Sequence, residues 1–198
     1  MVPVLSLLLP IVVSAVVVFV VSSVMHMALH YHANDYRALP DEAGVMEALR
    51  KFNVPPGDYA APKPANMAAM SSPEFKDKRS KGPVFIVTFM KPGVMNMGPS
   101  LMNWFVYSLV VSVVAGYVAG LALGPGAHYM KVFRFVSTVA FAGYSLALWQ
   151  DAIWMSKSPG TVFRNSIDGL VLTFLNITKS KEAEQAVQAT RSMATSKP

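Results

Sequence analysis

Three of the four histidines lie within seven residues of one another, as His26-x3-His30-x-His32, and Asp35 follows three residues later. On a continuous helix residues four apart share a face, so His26 and His30 can aim two imidazoles at one metal ion, while His32 points elsewhere unless the helix has ended by then. Zinc or copper held there needs a third ligand, from Asp35 or from a partner. The plainer reading, and the expected one, is an interfacial helix end whose imidazoles meet headgroups and water. One imidazole also suffices as axial ligand to a pigment or haem carried by a partner. A bis-histidine haem within the chain is not expected, because His128 falls at the opposite membrane face. The sequence therefore predicts no resident cofactor.

Two further groups carry chemical potential. Met67, Met70, Met90, Met95 and Met97 lie in one polar stretch, and thioethers with histidine suit Cu(I). Methionine in an apolar chain is more often adaptable packing or a tolerant binding surface. Arg164 and Asp168 sit one turn apart in an otherwise apolar segment. Charges at membrane depth are costly unless paired or wet, so the expectation is a structural Arg164–Asp168 pair or a subunit contact.

The elements that must position these residues are membrane spans. Residues Val4 to Met25 carry no charge and are dominated by Val and Leu, long enough for one helix across the hydrocarbon core. Asn103–Leu123 and Val132–Trp149 read the same way, and Thr161–Ile177 is a shorter, more polar fourth. No Lys or Arg precedes residue 37, so the first run lacks the basic start of a secretory signal and reads as a retained anchor, kinked at Pro10. Gly116, Gly120 and Gly124 recur every four residues. They form a smooth strip suited to close packing of the second and third spans as an antiparallel hairpin. Trp104, Trp149 and Trp154 fall at one membrane interface, Tyr117 and Tyr129 near the other.

The stretch between the first two spans lies outside the bilayer. Asp41 is a helix cap before a run ending near Phe52, Ser72-Pro73-Glu74 opens a second short helix, and Gly82–Phe89 is the one credible strand. A lone strand must pack under the membrane surface, pair with residues 54–65 or add to a partner. The expected fold is thus an all-α membrane protein. Four transmembrane helices carry a small mixed α/β domain between helices 1 and 2: an anchor at 1–32, the extramembrane domain at 33–101, three helices at 102–178 and a polar tail at 179–198 with a helical stretch from Glu182 to Arg191.

Composition narrows the function classes. There is no cysteine among 198 residues, which removes disulfides, thiolate catalysis and Cys-ligated zinc or iron–sulfur sites. Between His26 and Leu101 nine basic residues are interspersed with seven acidic ones, so no nucleic-acid patch is formed. No phosphate loop, nucleophile elbow or clustered carboxylate dyad is found, and no inverted repeat of the carrier type. These features point to a non-enzymatic accessory or assembly subunit of a larger complex in the bacterial inner membrane. Its expected partners are the lipid bilayer and other membrane subunits, and respiratory or photosynthetic electron-transfer assemblies are the commonest hosts. The main loop leans toward the cytoplasm by its basic residues. The alternative is a metal-handling membrane protein using His26, His30, His32 and the loop methionines.

Overall fold

The structure is a computed structural model and describes residues 2–174. It divides into two compact units: the residues up to Tyr36 together with those from Asn96 onward, and Arg37–Met95.

The first unit is helical. A 3-10 turn at Val4–Leu7 runs into α1 (Leu8–Ala28). Because the α-helix proper begins at Leu8, Pro10 falls in the first turn, where backbone N–H groups have no intrahelical acceptor; the kink expected at Pro10 has no hydrogen bond to break. In the second unit come α2 (Glu42–Arg50), β1 (Gly57–Ala61), α3 (Pro73–Lys81) and β2 (Phe85–Phe89). The chain then returns to the first unit as α4 (Gly98–Ala122), α5 (Tyr129–Tyr144), α6 (Trp149–Trp154) and α7, over residues 159–174. Among the described residues three stretches are long and apolar enough to cross a bilayer: Val4–Ala28, Gly98–Ala122 and Tyr129–Trp154. The last part of the expected fourth span, 175–177, and the tail with its Glu182–Arg191 helix lie outside the described residues.

Helix α4 sits between α1 and α5. The α1 seam is made of small side chains: Ser14, Ala15, Val18 and Ser22 are buried against a face of α4 that buries Ser108, Val111 and Ser112. In lipid, where apolar surfaces gain little from leaving solvent, such seams hold by close van der Waals contact and short polar bonds. Trp104 Nε1 donates to Ser22 Oγ at 2.6 Å, and Ser108 Oγ donates to the Trp104 carbonyl at 3.0 Å. The α5 side of α4 is lined instead by Ala115 and Ala119 against Val136.

The glycine strip serves a different contact from the one its spacing suggests. A Cβ on Gly116 would lie 3.1 Å from Ile11 Cδ1, and one on Gly120 2.6 Å from the Val2 carbonyl oxygen. Gly116 therefore admits the Ile11 side chain of α1 and Gly120 the N-terminal segment, whose Val2 N–H donates to the Gly120 carbonyl at 2.8 Å. Gly124 faces open space. The hairpin with α5 uses Gly143, where a Cβ would meet Val111 Cγ2 at 3.2 Å. The third span is also not one continuous helix. It breaks at Ser145 and passes through a 3-10 turn at Leu146–Leu148 before α6. The Tyr107 hydroxyl donates to the Gly143 carbonyl and Ser145 Oγ donates to the Ser166 carbonyl at 3.1 Å, so polar groups at the break find partners on α4 and α7.

The second unit follows its local signals. The Asp41 carboxylate accepts from Gly44 N–H at 3.0 Å, and Ser72 Oγ from Phe75 N–H at 3.1 Å with Pro73 at the first helical position. Gly82, at φ +62°, ends α3 in a conformation that favours glycine. Strand β2 pairs antiparallel with β1, from Gly57 opposite Phe89 to Ala61 opposite Phe85, which selects the 54–65 segment among the three fates open to the strand. Thr88 Oγ1 donates to Asp58 Oδ1 at 2.6 Å, and the Tyr59 and Phe89 rings meet edge to face.

The packing at Gly120 yields a prediction. Gly120→Leu forces the backbone at Val2 away and should cost about 1–3 kcal/mol, whereas Gly124→Leu should leave stability unchanged. Thermal unfolding of both variants in one detergent checks it, and equal behaviour of the two would contradict the packing described.

Candidate functional site

Helix α1 ends at Ala28 because Leu29 turns extended, at φ −94° and ψ 119°. A single 3-10 turn, His30–His32, follows and folds the chain back. That reversal decides which histidines meet. The His32 ring stacks on His26 with centroids 4.9 Å apart and planes within 6°, beside Tyr31. His30, expected to share a face with His26, takes no part in this group. The pairing assumed a helix that continued past residue 28, and the extended Leu29 removes that premise.

The rest of the site comes from α7. Asp35 Oδ1 accepts from Arg164 Nε at 3.0 Å and from the Arg164 terminal nitrogen Nη2, and Thr161 Oγ1 lies 3.3 Å away. Asp35 Oδ2 lies 2.7 Å from His32 Nδ1. On the other edge of the same ring, His32 Nε2 lies 2.8 Å from Asp168 Oδ2, and Asp168 Oδ1 accepts from the Tyr31 hydroxyl. His26 Nε2 stands 3.9 Å from Asp168 Oδ2, while its Nδ1 is 2.9 Å from the Ser22 carbonyl oxygen. The expected Arg164–Asp168 pair is therefore not formed. Each charge reaches across to residues 31–35 instead, Arg164 to Asp35 and Asp168 to Tyr31 and His32. Both carboxylates are nearly buried, with side chains 8% exposed for Asp35 and 6% for Asp168.

Burial pushes the Asp35 carboxyl up, but hydrogen bonds from His32 and Arg164 and the Arg164 charge outweigh it and hold the group below the usual carboxylate range. Burial, then the hydrogen bond to Asp168, hold the Tyr31 phenol well above its ordinary value. It stays a hydrogen-bond donor.

The His32 contacts set a proton count. A neutral imidazole has one N–H, yet both ring nitrogens face carboxylate oxygens within 2.8 Å. Arg164 against Asp35 and Asp168 also leaves the group one positive charge short. Chemically, the site is able to hold a cation close to the membrane surface.

Sequence reasoning singled out His26, His32, Arg164 and Asp168 without their true pairing, and it missed Tyr31, Thr161 and the Arg164 contact of Asp35. The available signal was the need of two isolated charges in an apolar helix for partners, with Tyr31, His32 and Asp35 the polar cluster just beyond the first span. His128 is not among the clustered ligands, and Met67, Met90 and Met95 are exposed. Comparison with protein-family models, with curated proteins and with solved structures finds no match.

A double-mutant cycle with Asp35→Ala and Arg164→Ala should give a coupling of about 1–3 kcal/mol by chemical or thermal unfolding, since each single change strands a partly buried charge. Strictly additive effects would remove this pair from the structural account.

Proposed function

We propose that this chain is a non-catalytic accessory or assembly subunit of a larger membrane complex, with the unit 37–95 as its docking element. The supporting observation is that none of residues 37–95 is buried. Leu39, Phe52, Val84, Phe85, Ile86 and Val94 are all exposed, Val94 at 99%. A two-stranded sheet without a covering layer is marginal by itself, and both of its outer edges are free to pair. Apolar side chains alternate with nine basic and six acidic residues over 37–95, a mixture unsuited to immersion in hydrocarbon and suited to a protein surface.

The chain as proposed crosses the bacterial inner membrane four times, α7 providing the fourth span. The unit 37–95 lies in the cytoplasm, on the side favoured by the nine basic residues of that unit with Lys157 and Arg164.

Two expected outcomes follow from this reading. Extraction in mild detergent should recover the chain in a complex much larger than its own 21.5 kDa, and Phe85→Asp or Ile86→Asp should release it while the melting of the helical unit stays unchanged. Recovery only as a free, well-folded monomer, with both substitutions silent, counts against the subunit role. For orientation, cysteines placed at Ser72 and Ser80 should resist an impermeant thiol reagent in intact cells while one at Ala127 is labelled; the inverse pattern puts the unit on the outer side.

A further inference from the structure

We infer that His26, His32 and Asp168 form a binding site for one divalent first-row transition ion of the zinc class. The inference is independent of the subunit reading. His26 Nε2, His32 Nε2 and an Asp168 carboxylate oxygen lie within 4.8 Å of one another. In tetrahedral zinc coordination, with bonds near 2.0–2.1 Å, ligand atoms stand about 3.3 Å apart. The His32 Nε2 separation from Asp168 Oδ2, 2.8 Å, is shorter than that and the His26 Nε2 separation, 3.9 Å, longer, so binding an ion turns the half-exposed His26 ring out of its stack on His32.

The surroundings of the three atoms argue for a metal over a bridging proton. The Ser22 carbonyl can only accept, so His26 Nδ1 is the N–H and a neutral His26 presents the Nε2 lone pair inward. Asp35 takes the Nδ1 edge of His32 at 2.7 Å, the carboxylate–histidine arrangement that fixes metal-binding imidazoles with Nε2 free to coordinate. Tyr31 holds the second oxygen of Asp168. With the His32 proton on Nδ1 toward Asp35, the two Nε2 atoms and Asp168 Oδ2 are three acceptors that face one another. A hydrogen bond between His32 and Asp168 leaves His26 Nε2 3.9 Å from Asp168 Oδ2 and unengaged by it. A metal ion engages all three atoms at once.

Two imidazoles and one carboxylate disfavour Ca²⁺ and Mg²⁺, which prefer all-oxygen shells, and suit zinc or its first-row neighbours. The His26 side chain is 51% exposed, so the ion has a route in and a fourth position remains for water or an anion. With a divalent ion the group of Arg164, Asp35, Asp168 and neutral histidines carries a net charge of +1, which an anionic fourth ligand would balance.

The test is Zn²⁺ titration of the full-length chain in detergent after chelator treatment, read by calorimetry, with Co²⁺ absorption as a reporter of tetrahedral coordination. One ion per chain is expected. His26→Ala carries the test because His26 is half-exposed and its loss leaves the Arg164–Asp35 contact intact. It should weaken binding by at least about tenfold, and Asp35→Asn, which keeps all three ligands, should weaken it about 10–100-fold. His30→Ala and His128→Ala should bind as the parent does. Substoichiometric or absent binding in folded protein, parent-like affinity in His26→Ala, or an equal loss in His30→Ala would overturn the assignment.

Discussion

The helical unit depends on how Arg164, Asp35, His32, Asp168 and Tyr31 neutralise one another. Each carboxylate is nearly stripped of water, and an isolated ion in that position costs several kcal/mol even after relaxation. The cost is met by cross-chain contacts: the Asp35 oxygens serve Arg164 and His32, and those of Asp168 serve Tyr31 and His32. The network joins the end of α1 to α7 over more than 120 residues of sequence, and the membrane unit accordingly extends through Tyr36. Dividing the chain at residue 32, as the end of the apolar run suggests, separates His32 from Asp35 and cuts through this set of contacts.

Around that tie, the helices approach each other through small and hydroxylated residues. Serines in α1 and α4 let the backbones come close and supply the bond from Trp104 to Ser22. The break at Ser145 follows the same economy. A continuous helix would keep its own carbonyls occupied, whereas the 3-10 turn depends on Tyr107 and Ser145 reaching neighbouring helices. Gly169 lets α7 approach there, since a Cβ on it would stand 3.0 Å from Tyr144 Cβ and 3.1 Å from the Tyr144 carbonyl carbon. Packing and polar satisfaction are thus achieved by the same short side chains.

What was legible in the sequence divides along the line between local and long-range physics. Apolar length marks the three long helices, and cap chemistry marks the starts of α2 and α3 at Asp41 and Ser72, because both act within a few residues. The β1–β2 pairing was only one of three possibilities, as β1 has the weakly strand-forming sequence Gly57–Ala61. At the site, spacing failed at one residue. Leu29 carries no Gly or Pro signal, yet its extended backbone replaces His30 by His32 beside His26. Arg164 and Asp168, one turn apart on one helix, looked self-sufficient, but partners on another segment satisfy two oxygens or two guanidinium nitrogens at once. The Gly116 and Gly120 strip was recognisable as a close approach; its partners, the Ile11 side chain and the Val2 backbone, left no mark in the pattern.

The two units meet their needs in opposite ways. In the helical unit, the charged groups at the end of α1 and on α7 find partners within the chain, and α1 and α4 turn mostly apolar side chains outward, as a lipid environment requires. In the unit 37–95, local hydrogen bonds and caps are in place, but no side chain is enclosed and the apolar ones stay accessible. Its two short helices and single strand pair surround no core of their own. The histidine site is the tightest case in the helical unit: Asp35 and Asp168 are nearly buried, and each of their oxygens faces a partner in the chain. Contacts between distant segments thus secure the one unit, and contacts a few residues apart secure the helix caps of the other.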